Sequence, residues 1–203
     1  MPICSYMDLA FVVVASPAHL ANTRMVAIDG GSGSGKTMFA SRLERALQQA
    51  DTSVGVIHTD DLYNGWQHPS AFAPRLNDWV VQPMLNGRRG RYRRYDWATR
   101  KFQPEWVDVG QPEVLIIEGV TTASAAWRPL LSYSIMMIAH ETVGFQRAVR
   151  RDGETIRGPL REFVAHTTAH FDTDETERHV DLCVDGSPQQ PHDPQQEFVA
   201  VTG

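Results

Sequence analysis

Apolar residues recur along the chain in short β-branched runs separated by stretches of helical spacing, and that alternation predicts an α/β protein. Five runs bounded by polar or turn residues read as strands: Met25-Val26-Ala27-Ile28-Asp29, Val54 to His58, Val114 to Ile117, Ser134 to Ala139 and Val180 to Val184. A helix is predicted from within a glycine-rich segment to about Ala50, because Phe39, Leu43, Ala46, Leu47 and Ala50 are spaced to share one face. Further helical patterns lie around 70–85, 122–131, 142–151 and 160–171. Strands alternating with helices indicate a parallel sheet of about five strands, covered by helices on both faces. Residues 1–24 read as a lead-in, with a short amphipathic helix or irregular segment over 8–20, and residues 25–186 as the main domain. The Pro- and Gln-rich stretch within 187–203 reads as a disordered tail.

Composition narrows the partners. A chain of 203 residues fits one domain with a small lid, and 42% apolar with 21% charged residues is ordinary for a globular protein. No stretch approaches the roughly 20 apolar residues of a membrane span. No Lys or Arg precedes the run Leu9 to Ala15 and Asp8 opens it, so a secretory leader is not expected. A formal charge of -5 argues for small-molecule chemistry over generic nucleic-acid binding. Cys4 and Cys183 lack metal-ligand spacing and suit a reducing cytoplasm, and self-association is left open.

The segment Gly30-Gly31-Ser32-Gly33-Ser34-Gly35-Lys36-Thr37 fits G-x-x-x-x-G-K-[ST] between a predicted strand and a predicted helix, which defines a P-loop NTPase fold. The bent backbone turns successive N–H groups toward phosphate oxygens, and the helix N-terminus adds partial positive charge. Lys36 is expected to bridge the β- and γ-phosphates of ATP, and the Thr37 hydroxyl to ligate Mg²⁺. With only two lysines, neither in an Asn-Lys-x-Asp context, a guanine-reading segment is missing.

Two acids follow the second strand in His58-Thr59-Asp60-Asp61-Leu62-Tyr63, at the sheet edge where ligands bind. Phosphoryl transfer to a hydroxyl needs a carboxylate there to orient the acceptor and one to serve the metal. The alternative is an acidic pair that merely ends a strand. Glu118 ends the third strand at the same edge, where it can serve Mg²⁺ or a substrate hydroxyl. Arg147, Arg150, Arg151 and Arg157 crowd a predicted helix and its turn, the makings of a lid near 147–175 that neutralises charge on a transferring phosphoryl group. Arginines 88, 89, 91, 93, 94 and 100 alternate with Tyr92, Tyr95 and Trp97. They read as a solvated basic hairpin turning at Gly87 and Gly90, an anionic-substrate site, or an RNA-stacking surface, in that order. His166 and His170 read as a polar lid-helix face, because the Glu of a zinc-protease helix is missing.

These residues, with Tyr95-Asp96-Trp97, Ile117-Glu118-Gly119, Arg151-Asp152, Arg157-Gly158 and Val180 to Val184, resemble the uridine kinase and phosphoribulokinase branch of P-loop kinases, and within it the short actinobacterial uridine-kinase-like proteins. The resemblance spans roughly 24–186 and implies a MgATP-dependent kinase acting on a small hydroxyl-bearing acceptor. It implies a catalytic set of Lys36, Asp60, Arg151 and Arg157, with Thr37, Asp60 and Glu118 toward the metal. Asp61, Tyr63, Tyr95, Asp96, Arg100 and Glu118 fall on the acceptor side. Departures also fall there. Gln67 stands where uridine-cytidine kinases have a ribose-binding Asp, and Arg100 stands near their pyrimidine-reading His. The alternative class is an ATP-binding regulatory protein that transfers nothing.

Overall fold

The computed structural model describes residues 1–201. Its centre is a seven-stranded sheet built from β1 (Ile3–Ser5), β2 (Arg24–Gly30), β3 (Val54–His58), β8 (Val114–Glu118), β9 (Leu131–Ile138), β10 (Leu182–Asp185) and β11 (Glu197–Val201). The spatial order is β1-β11-β10-β9-β2-β8-β3. The five strands from β10 to β3 are parallel, and they are the five predicted runs with no end moved by more than three residues. Between β3 and β8 the chain forms two small antiparallel pairs, β4 (Gly90–Tyr92) with β7 (Val107–Gly110) and β5 (Tyr95–Asp96) with β6 (Lys101–Phe102).

Helix α1 (Tyr6–Ala15) and α2 (Lys36–Gln49) cover one face of the sheet. In α2 the predicted stripe of Phe39, Leu43, Ala46 and Leu47 is buried. The other face is covered by α3 (Ala73–Leu76), a π-turn at Asn77–Val81 and α4 (Gln82–Leu85), a continuous helical run matching the 70–85 pattern. Helices α5 (Glu141–Asp152) and α6 (Arg157–Asp174) follow β9 and carry Arg147, Arg150, Arg151 and Arg157.

The structure extends or corrects five expectations. The sheet has seven strands, because both ends of the chain enter it. The lead-in forms β1 and α1: Ser5 caps the helix by accepting from the Asp8 backbone N–H at 3.0 Å, and Tyr6, Leu9, Ala10 and Val13 enter the core. The expected disordered tail contains β11, which pairs antiparallel with both β10 and β1. Phe198 supplies the physical reason, since its ring packs 5.2 Å from Tyr6 and 5.3 Å from Phe39. Phe198→Ala should therefore cost about 3–5 kcal/mol, read as a lower midpoint in urea unfolding. An unchanged midpoint would show that the terminal strand adds nothing to the core.

The helix predicted over 122–131 is reduced to a 3-10 turn at Arg128–Leu130. Asp29 explains the loss: its buried carboxylate accepts the backbone N–H of Thr121 and of Ala123, both at 2.8 Å. Thr121 also adopts a left-handed backbone, so this loop is wound around the acid rather than into a helix. Finally, the basic segment does turn at Gly87, but β4 pairs with β7, some fifteen residues on, and not across a tight hairpin.

Candidate active site

The glycine-rich loop leaves β2 where the chain's neighbours diverge, β8 on one side and β9 on the other, which is the switch point at which α/β sheets bind ligands. Two contacts fix its path. Gly33 has φ 71°, and a Cβ there would lie 2.1 Å from the Gly144 carbonyl of α5, so the loop packs directly on the backbone of that helix. At the end of β8, a Cβ on Gly119 would lie 1.8 Å from Thr59 Oγ1. That close approach brings the β8 end against the turn carrying Asp60 and Asp61. Lys36 Nζ donates to the carbonyls of Gly30 and Gly31, both at 2.9 Å, and so closes the loop into a cradle. Below it, burial outweighs three backbone N–H bonds and the Lys36 charge and raises the Asp29 carboxyl to about 6.

A cleft of about 1200 Å³ opens above this edge. Its phosphate end is lined by Ser32, Gly33, Gly35, Lys36 and Thr37, and its acidic floor by Asp60, Asp61 and Glu118. Asp60 is an exposed residue that lines the cleft. Desolvation and the neighbouring Glu118 raise its carboxyl above the usual aspartate range, with Lys36 and Arg151 pulling it back. Burial also raises Asp61, against the pull of Arg94 and His58. Asp61 is held from behind by the Tyr92 hydroxyl at 3.3 Å and Arg94 Nε at 3.4 Å.

Glu118 is nearly dry. Burial pushes its carboxyl up, but the His58 hydrogen bond, the charges of Lys36 and His58 and the Thr37 hydroxyl win, leaving it below the usual glutamate value. Its Oε1 accepts from Thr37 Oγ1 at 3.0 Å and from His58 Nδ1 at 2.6 Å. The same hydrogen bond raises the His58 imidazole above its ordinary value, against the effect of burial. A hydroxyl and carboxylates around a phosphate cradle are hard oxygen donors that suit Mg²⁺, an ion held mainly by one or two carboxylates, phosphates and water. Among the described residues no cluster of three or more His, Cys, Asp or Glu forms a cage for a metal by itself. The donor set therefore fits a metal that arrives with a nucleotide.

The opposite end of the cleft is aromatic. Trp66 contacts Trp97 at 5.6 Å and Phe163 of α6 at 5.9 Å, and Tyr95 contacts Trp97 at 5.3 Å. Trp97 Nε1 donates to the Asp60 carbonyl at 3.1 Å, tying the β5–β6 hairpin to the acidic turn. Arg100, in a left-handed backbone at φ 55°, lines the cleft beside them.

Most of the expected site residues meet here, but Gly30, Gly31 and the buried Ser34 of the loop do not line the cleft, and three others do not reach it as functional groups. Arg157 does not line it, being paired with Glu154 at 2.6 Å on the exposed start of α6. Asp96 caps its own hairpin, accepting from the backbone of Ala98 at 2.9 Å and Thr99 at 3.0 Å. The Tyr63 hydroxyl donates to the Pro69 carbonyl, and burial raises its pKa further, so it braces the loop although its ring lines the cleft. Gln67 turns back to accept from the Asn64 backbone at 3.3 Å. Sequence reasoning did not select His58, Asp29, Trp66, Trp97 or Phe163 as site residues. His58 carried a legible signal, since it ends a strand two residues before the acidic pair. Asp29 and Phe163 carried none, because their partners lie far away in sequence.

The phosphoribulokinase / uridine kinase family model matches residues 25–186. A uridine kinase from Leuconostoc citreum is 25% identical over 180 residues, covering 79% of this chain and 86% of that one. One from Brevibacillus brevis is 28% identical over 149 residues, covering 66% and 69%. In three dimensions, a possible uridine kinase from Bacillus stearothermophilus aligns over 88% of this chain and 96% of its own, at TM-score 0.62 and 20% identity. D-glycerate 3-kinase from Cryptococcus neoformans aligns over 92% and 97%, at TM-score 0.61 and 12% identity. The motif at the switch point, the parallel sheet behind it and a family match across most of the chain agree: the chain belongs to the phosphoribulokinase / uridine kinase family of small-molecule kinases.

Proposed function

We propose that the protein transfers the γ-phosphate of MgATP to a hydroxyl of a nucleoside or a similar small polar metabolite. The observation that carries this reading is the convergence of Lys36, Asp60 and Arg151 on one cleft whose other end is aromatic. The loop N–H groups and Lys36 bind the phosphates, and Thr37 with Glu118 faces the metal side. Bound Mg²⁺ supplies charge neutralisation across the phosphates. Asp60 orients the acceptor hydroxyl and takes its proton as the new O–P bond forms and the bond to the bridging oxygen of ADP breaks. Arg151 stabilises the charge spread over the transferring group. Asp61, fixed by Tyr92 and Arg94, offers an acceptor-side carboxylate, and Trp66, Trp97 and Phe163 flank a planar ring.

Incubation with MgATP and a panel of nucleosides and carboxylated or phosphorylated metabolites tests the reading. ADP formation that depends on one acceptor class supports it. ATP binding without acceptor-dependent ADP would make the protein a nucleotide-binding regulator.

The two lid arginines should separate in the same assay. Arg151 lines the cleft, so Arg151→Ala is expected to lower kcat by roughly 10²–10³-fold, as loss of a charge-stabilising group does, with ATP affinity little changed. Arg157→Ala should cost less than about threefold, since Arg157 lies outside the cleft; pairing alone does not separate the two, because Arg151 is itself paired with Asp152 at 2.7 Å. Equal losses in both variants would mean that the lid closes far enough to bring Arg157 to the phosphates.

A further inference from the structure

Glu118 is a carboxylate taken almost out of water, with one oxygen, Oε1, receiving both described side-chain donors. Those donors differ in what nucleotide binding does to them. The Thr37 hydroxyl belongs to the P-loop, and on the proposed reading it turns to the metal, which leaves Glu118 without it. His58 belongs to the rigid sheet. In the parallel register of β3 and β8, His58 is the residue directly paired with Glu118, so the two side chains leave the same edge side by side. An ionised carboxylate only accepts hydrogen bonds, which makes Nδ1 the donor in the 2.6 Å contact. Among the described residues no other cation lies within salt-bridge distance of Glu118.

We infer that His58 is a positioning residue for the metal side of the reaction: its Nδ1–H holds the Glu118 carboxylate in place when the Thr37 hydroxyl leaves it for nucleotide-bound Mg²⁺. This deepens the proposed function and rests on it. Groups that orient a metal-facing ligand in this way typically change metal affinity or activity 10–100-fold, without touching the metal. His58 does so from the end of β3, two residues before Asp60.

The test is ATP binding by calorimetry, in EDTA and across a Mg²⁺ titration, for wild type and three variants. His58→Leu fills the space without a donor. His58→Gln stays polar at this half-exposed position and carries its amide nitrogen one bond too far. His58→Asn places an amide nitrogen two bonds from Cβ, as Nδ1 is. The Leu and Gln variants should need roughly 10–100-fold more Mg²⁺ for half-maximal enhancement of ATP binding, with affinity in EDTA unchanged. His58→Asn should return to within about threefold of wild type. Wild-type Mg²⁺ dependence in folded His58→Gln, equal losses in EDTA, or an Asn variant no better than Leu would overturn the inference. A wild-type protein whose ATP binding ignores Mg²⁺ altogether would bring down the kinase reading first, and this inference with it.

Discussion

Asp60→Asn is expected to lower acceptor-dependent turnover by roughly 10²–10⁴-fold, the usual size of a general-base contribution, while ATP affinity stays within a few-fold of wild type. The substitution keeps the shape and removes the charge. Asp60 stands just after β3 and opens onto the cleft shared with Lys36 and Arg151, where an acceptor hydroxyl would meet the γ-phosphate. Phosphoryl transfer has a loose transition state, so the carboxylate contributes through orientation as well as basicity. Its raised pKa brings it closer to a useful proton acceptor near neutral pH. Asp61→Asn serves as the comparison. Tyr92 and Arg94 hold Asp61 on the acceptor side, so its loss should appear mainly as a higher KM for the acceptor. If ATP binding collapsed together with activity in Asp60→Asn, the residue would be a metal ligand or a structural acid. If neither changed, the acidic pair would have no part in transfer.

Lys36→Ala should abolish most nucleotide-dependent activity, by about 10²–10³-fold or more, because the β- and γ-phosphate charge loses its dedicated cation. The free protein adds a structural consequence. Lys36 Nζ bridges the carbonyls of Gly30 and Gly31, so its removal also unfastens the cradle and leaves two inward carbonyls without their donor. ATP affinity should therefore fall along with turnover, in contrast to Asp60→Asn. The two variants together form a diagnostic pair: one loses chemistry while keeping nucleotide, the other loses both. Wild-type ATP binding in a folded Lys36→Ala protein would contradict the assignment of this loop to phosphate.

The phosphate end of the site was legible because its chemistry is written locally. Eight consecutive residues between a strand and a helix carry the cradle, and the two acids that follow β3 occupy their place by chain connectivity alone. The five parallel strands were legible for the same reason, since a strand buried on both faces reads as an unbroken apolar run. The aromatic end of the cleft was not, because it is assembled from Trp66, Trp97 and Phe163, which come from a loop, a hairpin and helix α6. Their periodicity says nothing of where they meet. The terminal strands were missed for a related reason. Residues 187–196 are rich in Pro and Gln, and that composition obscured the apolar run at 198–201, whose pairing with β1 spans nearly the whole chain. Asp29 shows the converse: one buried acid, unremarked in an apolar strand, takes the backbone donors of a loop more than ninety residues away and so overrides its helical pattern. Arg157 shows that a charge cluster does not by itself assign its members to a site, since Arg151 and Arg157 both pair with neighbouring acids and only Arg151 lines the cleft.

The central claim is transfer to a hydroxyl, and it is tested most directly by following the γ-phosphoryl group itself. With ATP labelled at the γ-position, Mg²⁺ and the acceptor selected from the panel, the label should appear on the acceptor as a phosphate monoester, in amounts equal to the ADP formed. The same label released only as inorganic phosphate, or retained on ATP in the presence of every acceptor class, would contradict the account.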